Sequence, residues 1–159
     1  MVARVAGADP IIGVDVHPKR LALARELGAT HCLNTHEDSV AKSIRAITGS
    51  GVAHVVETTG DTALNQAGLD LLNSRGKMAL LTGESGPGSL TDGRRVFGVT
   101  QGDAVPQRFI PYLIKLHEEG RFPFDRLVRF YAFSDINQAM ADTSRGDVIK
   151  PVLRMGGRV

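Results

Sequence analysis

Short apolar runs alternate with segments of helical period along the whole chain. This is the pattern of parallel βαβ units. Val2 to Ala8 reads as the tail of a helix, and Pro10 to Val16 as a strand rich in Ile and Val. Pro18 suits the first turn of a helix that sets Leu21, Ala24 and Leu27 on one face, and Gly28 stops it. Cys32 to Asn34 is a short strand. Glu37 to Thr48 has helical spacing at Val40, Ile44 and Ile47 and ends at Gly49.

Val52 to Glu57 is the next strand, and Thr58-Thr59-Gly60 leads from it into a helix reaching Ser74. Lys77 to Thr82 is a strand that runs into a loop rich in Gly, Ser and Pro, from Gly83 to Gly93. Val96 to Val99 is a further short strand. Pro106 opens a helix with Phe109, Leu113 and Leu116, terminated by Gly120. Phe130 to Phe133 is short and apolar. Ser134 is a candidate N-cap for a helix carrying Ile136, Ala139, Met140 and Thr143, closed by Gly146. Val148 to Leu153 is the last strand. The alternation predicts a doubly wound α/β sheet.

Composition narrows the function classes. The 159 residues suit one domain with a real core. Nineteen basic residues are interspersed with seventeen acidic ones, for a net charge of +2. No basic stripe for nucleic acid or a membrane surface stands out. Cys32 is the single cysteine, which excludes an internal disulfide and any multi-cysteine metal site. No apolar run approaches the roughly 18 residues of a membrane span, and no leader pattern is present. The expectation is a soluble cytoplasmic protein.

The sharpest chemical signal is Asp15, an acid at the end of a strand and just before a helix. A carboxylate there can accept hydrogen bonds from both hydroxyls of an adenosine ribose and would repel a 2′-phosphate. That predicts NAD rather than NADP. The alternative is an Asp that simply favours the turn. Arg20, on the first turn of the following helix, is placed to reach the same ribose edge or to remain a solvated charge. Thr58, Thr59 and Gly60 lie where ligands of open α/β sheets bind, beyond the carboxyl end of a strand, but they also suit a helix cap. Leu81, Thr82 and Gly83 hold the equivalent place one strand later, where a nicotinamide ring could lie. His31, His36, His54 and His117 have no metal-ligand spacing, and no Ser-His-Asp or paired-carboxylate pattern stands out.

The stretches GVDVHPKRLALARELGATHCLN, VVETTG and RGKMALLTG resemble the coenzyme domain of zinc-dependent medium-chain alcohol dehydrogenases. The C-terminal run from QGDAVPQRFIPYLIKLHEEG to VIKPVLRM resembles the aryl-alcohol (benzyl-alcohol) branch in particular. The resemblance implies a Rossmann-like fold and NAD as cofactor. It assigns Asp15 to the adenosine ribose with Arg20 beside it, and Thr58 and Thr59 to the adenine and ribose side. It sets Leu81 and Thr82 against the nicotinamide and Lys150 near the bound cofactor.

The departures from that family carry their own expectations. The zinc-binding catalytic domain and its Cys and His ligands have no counterpart here, so residues 1–159 are expected to form a single, incomplete dinucleotide-binding domain. The Gly-rich pyrophosphate turn normally lies about 20 residues before the ribose acid, and Asp15 leaves no room for it. In a 3-2-1-4-5-6 sheet the first strand is central. Its absence would leave a hole of roughly two strand spacings of about 4.8 Å and two apolar edges. The chain is therefore expected to be a coenzyme-domain fragment with no turnover alone. The alternative is a non-catalytic interaction module pairing with itself or a full-length homologous subunit. In this family dimers commonly form near the segment that includes Val96 to Val99, and here Gly86 to Arg95 is short and polar.

Overall fold

The structure, a computed structural model, describes residues 1–36, 39–82 and 88–156. Eight strands, six α-helices and three 3-10 turns are present among them. They fall into two compact units, one made of residues 1–36 with 107–159 and the other of residues 37–106.

In the first unit, α1 (Val2–Val5) precedes β1 (Ile12–Asp15), α2 (Pro18–Glu26) and β2 (His31–Asn34). β1 and β2 pair in parallel, with Asp15 opposite Asn34 at the ends of the ladder. Pro18 stands at the start of α2, where its missing N–H costs nothing. Ala24 and Ala29 lie against Gly13, close enough that a Cβ there would sit 3.6 Å from Ala24 Cβ. The same unit holds α5 (Pro106–Glu118), β7 (Val128–Ala132), α6 (Ile136–Ser144) and β8 (Lys150–Arg154). β7 and β8 are parallel, and Tyr131, Ala139 and Val148 form a core there with Leu153 packed on it. The Tyr131 hydroxyl donates to buried Asp142 at 2.7 Å, and Asp142 also accepts from Gln138 and Arg145. Asp142 thus enters the interior with its lone pairs engaged, as a buried carboxylate must.

The second unit contains α3 (Val40–Thr48), β3 (Val52–Glu57), α4 (Thr62–Asp70), β4 (Leu72–Leu80), β5 (Gly88–Ser89) and β6 (Arg95–Gly98). Its sheet has the order β3-β4-β6-β5, parallel except for the antiparallel pair of β5 with β6. Leu72, Met78, Leu80 and Val96 form its core, with Val55, Leu69 and Leu90 packed around them.

Three features differ from the sequence expectation, the first being that β7 and β8 pair in a sheet of their own. β1 is bonded only to β2 and β3 only to β4 among the described residues, the separation expected without a central strand. Those two unpaired edges are the ones that flank the central strand in a 3-2-1-4-5-6 order. The helix after Gly60 ends at Asp70 instead of Ser74, and β4 begins at Leu72. Val52 captures that segment, its N–H donating to Leu71 O at 2.8 Å and its Cα facing Leu72 across the ladder. Arg75, at φ 61°, then turns the strand before Lys77 rejoins the register. Third, Ser134 does not cap α6. It sits in the 3-10 turn Phe133–Asp135, its hydroxyl donates to Asp135, and Asp135 holds the N-cap position. Of the predicted segments, Glu37 and Asp38 and residues 83–87 of the Gly-rich loop lie outside the described residues.

The Val52–Leu71 contact depends on Gly51. A Cβ at Gly51 would fall 2.1 Å from Leu71 O, a backbone atom that cannot step aside alone. Gly51→Ala is expected to cost about 1–3 kcal/mol through forced displacement of β4's first residues. Urea denaturation followed by circular dichroism checks this, and an unchanged midpoint would contradict it.

Candidate functional site

Three successive strands end in the same local device. At the end of β1, Asp15 Oδ1 accepts the N–H of His17 at 2.8 Å. At the end of β2, Asn34 Oδ1 accepts the N–H of His36 at 3.0 Å. At the end of β3, Glu57 Oε1 accepts the N–H of Thr59 at 2.7 Å. In each, a side-chain oxygen replaces the ladder carbonyl as partner of an N–H two residues on, and so turns the chain out of the sheet. In a parallel sheet these ends are where ligands sit.

Asp15 thus performs the turn role that its residue type favours, with one oxygen only. Its other oxygen faces the Arg20 guanidinium at 3.9 Å. Both side chains are about a third accessible, and Arg20 Nε is buried with no hydrogen-bond partner among the described residues. A half-used, partly accessible carboxylate beside a guanidinium can accept hydrogen bonds from a diol such as that of a ribose.

In the second unit the end of β3 is held more tightly. Glu57 is buried, and Gly60 N–H donates to its Oε2 at 2.9 Å. The Thr59 hydroxyl also donates to Glu57, and the same oxygen accepts the N–H of Asp61. Burial opposes ionisation of Glu57. The Thr59 hydroxyl and the N–H groups of Gly60, Thr59 and Thr58 outweigh it and hold the carboxyl below its ordinary value. The cap of α4 is neither Thr58 nor Thr59 but Asp61, which accepts the N–H of Leu64 at 2.8 Å.

This turn abuts the next strand end. Leu81 N–H donates to Glu57 O at 2.9 Å. Gly60, at φ 74°, lies so close to Thr82 that a Cβ there would be 3.4 Å from Thr82 Cγ2. Thr58, Thr59, Leu81 and Thr82 therefore form one patch, and Leu81 and Thr82 are exposed. Asp15 and Arg20 form a second patch in the other unit. Lys150 is exposed at the first position of β8, opposite Val128.

Sequence reasoning gave Glu57 no role. The available signal was the one that singled out Asp15, an acid closing an apolar strand before a turn. Among the described residues no three His, Cys, Asp or Glu side chains come together as a metal-ligand group. The described residues do not fit zinc. Among the same residues no helix is long and apolar enough to cross a membrane.

Residues 1–116 match the family model described as zinc-binding dehydrogenase. The geraniol dehydrogenase of Castellaniella defragrans is 37% identical over 95% of this chain and 43% of its own length. Two crystal structures superpose with TM-scores of 0.88. One is an alcohol dehydrogenase zinc-binding domain protein from Burkholderia ambifaria, 49% identical over 98% of this chain and 44% of that one. The other is the benzyl alcohol dehydrogenase of Acinetobacter calcoaceticus, 39% identical over 97% of this chain and 45% of that one. The chain spans less than half the length of each of these three relatives.

Proposed function

The chain belongs to the zinc-binding dehydrogenase family, one of NAD-dependent alcohol dehydrogenases, and on that premise we propose that its strand ends hold NAD. The observation that carries the reading is the Asp15 carboxylate, with one oxygen anchored to His17 N–H and the other unspent beside Arg20. Asp15 would accept the ribose hydroxyls, and its charge would disfavour a 2′-phosphate. Arg20 would flank that ribose, and Thr58 and Thr59 would line the adenosine side. The exposed residues Leu81 and Thr82 would meet the nicotinamide, and Lys150 would add a positive charge towards the cofactor.

NAD supplies the hydride acceptor. The protein's own residues bind and orient it, as is usual for cofactor chemistry. The whole reaction that this coenzyme half serves would be hydride transfer between an alcohol and NAD. The similarity to proteins named for geraniol and benzyl alcohol favours a primary alcohol whose carbinol carbon bears an unsaturated carbon, an aryl alcohol above all. Assemblies of two or four subunits are typical of the family.

A second reading is favoured by exposed apolar side chains in the first unit. Phe109, Ile110 and Ile114 on α5, with Phe130, Phe133 and Met140, suit contact with a further protein surface, such as a homologous subunit. Isothermal titration of the chain with NAD and with NADP tests the coenzyme reading. Binding is expected for NAD, with NADP at least about tenfold weaker. No heat with NAD at millimolar concentration would leave only the interaction reading.

A further inference from the structure

Glu57 is a buried acid that no proposed contact with the cofactor uses. Among the described residues, the hydrogen bonds of its carboxylate run to one short segment. It accepts the N–H of Thr59 at 2.7 Å, the N–H of Gly60 at 2.9 Å and the Thr59 hydroxyl. Its own carbonyl accepts the N–H of Leu81, and the turn it holds rests against Thr82. The carboxylate therefore holds the turn at the end of β3, and the backbone carbonyl of the same residue ties that end to Leu81. With its oxygens committed to the turn, it has little capacity left for a ligand. Its carboxyl stays ionised because the turn's donors converge on it, and charge-assisted bonds of this kind are the stronger class.

We propose that Glu57 is a positioning residue for the cofactor, fixing the Thr58-Thr59-Gly60 turn against Leu81 and Thr82 so that this surface is preformed before NAD arrives. The inference rests on the coenzyme reading above. A preformed surface matters because ordering a loop at the moment of binding subtracts from affinity. Removing the carboxylate leaves the N–H groups of Thr59 and Gly60 without their partner. The turn is then free to sample other conformations that do not match the ligand.

The test is Glu57→Gln in the full chain, an isosteric change that keeps one acceptor oxygen and removes the charge. Two-dimensional amide NMR supplies a readout that a purely structural role would not move. NAD is expected to shift the amide signals of Thr58, Thr59, Gly60 and Thr82 in the wild-type chain. In the variant NAD should bind about tenfold more weakly while the circular dichroism spectrum stays that of a folded chain.

Unchanged NAD affinity in a folded variant would overturn the inference and leave the coenzyme reading standing. If the variant does not fold, the wild-type spectra decide. NAD binding without any shift at Thr58 to Gly60 overturns the inference, and shifts that include those amides and Thr82 support it. No NAD binding by the wild-type chain overturns the coenzyme reading, and this inference with it.

Discussion

Replacing Asp15 by alanine is expected to weaken NAD binding by about ten- to a hundredfold, the loss of about 1.5–3 kcal/mol that accompanies a charged hydrogen-bonding partner. The variant loses both functions of the carboxylate. Oδ1 no longer turns the chain at His17, and the oxygen opposite Arg20 is no longer there for the ribose. Arg20, whose Nε already lacks a partner among the described residues, then has no carboxylate facing it.

Asp15→Asn separates the two functions. Asn34 makes the equivalent bond at the end of the neighbouring strand, so an amide at this place is compatible with the turn. The asparagine variant is expected to keep its fold and lose less affinity for NAD. Its discrimination against NADP should fall, because the repelling charge is gone. Titration calorimetry of both variants with NAD and NADP measures all of this. Wild-type affinity in a folded Asp15→Ala chain would refute the ribose role.

The strand–acid–helix reading of Asp15 and the boundaries of β3 were legible because they depend on local signals. A run of β-branched residues makes a strand, and a proline suits a helix start. The start of β4 was not legible, because nothing within Leu71 to Gly76 declares it. Its extent follows from Val52, which lies across the sheet, and from the close approach that Gly51 permits. The cap of α6 was misplaced for a similar reason. Ser134 has the right chemistry, but a 3-10 turn moves the helix start past it.

Glu57 shows the limit most clearly. By pattern it equals Asp15, since each acid closes an apolar strand. What distinguishes them is how many of the carboxylate's lone pairs the fold consumes, and that depends on the turn's dihedral angles. Asp15 makes one backbone bond, whereas Glu57 holds two N–H groups and a hydroxyl. An acid left partly unused is a candidate ligand, and one fully used is a candidate scaffold. The division of Asp15 and Arg20 from Thr58, Thr59, Leu81 and Thr82 between two units was equally invisible along the chain.

The second large effect concerns the core that carries Thr58 and Thr82. Met78 is 1% exposed, the most deeply buried of the large side chains described. Met78→Ala removes its thioether from among Leu72, Leu80 and Val96 and is expected to cost about 2–5 kcal/mol. The cavity would open towards Gly68 of α4, where a Cβ would lie 3.2 Å from Met78 Cε and 3.1 Å from Val55 Cγ1. Gly68→Ala alone therefore sets a gain in helix propensity of about 1 kcal/mol against crowding of about 1–3 kcal/mol.

In the Met78→Ala background the sulfur side chain is gone and the new methyl group enters the space it vacated. The double variant is expected to be more stable than the sum of the single effects by about 1 kcal/mol or more. With no tryptophan in the chain, urea denaturation is best followed by circular dichroism. Additivity within about 0.5 kcal/mol would show that the core closes over the missing thioether by itself. A positive coupling would show that Gly68 is glycine because Met78 occupies its side-chain space.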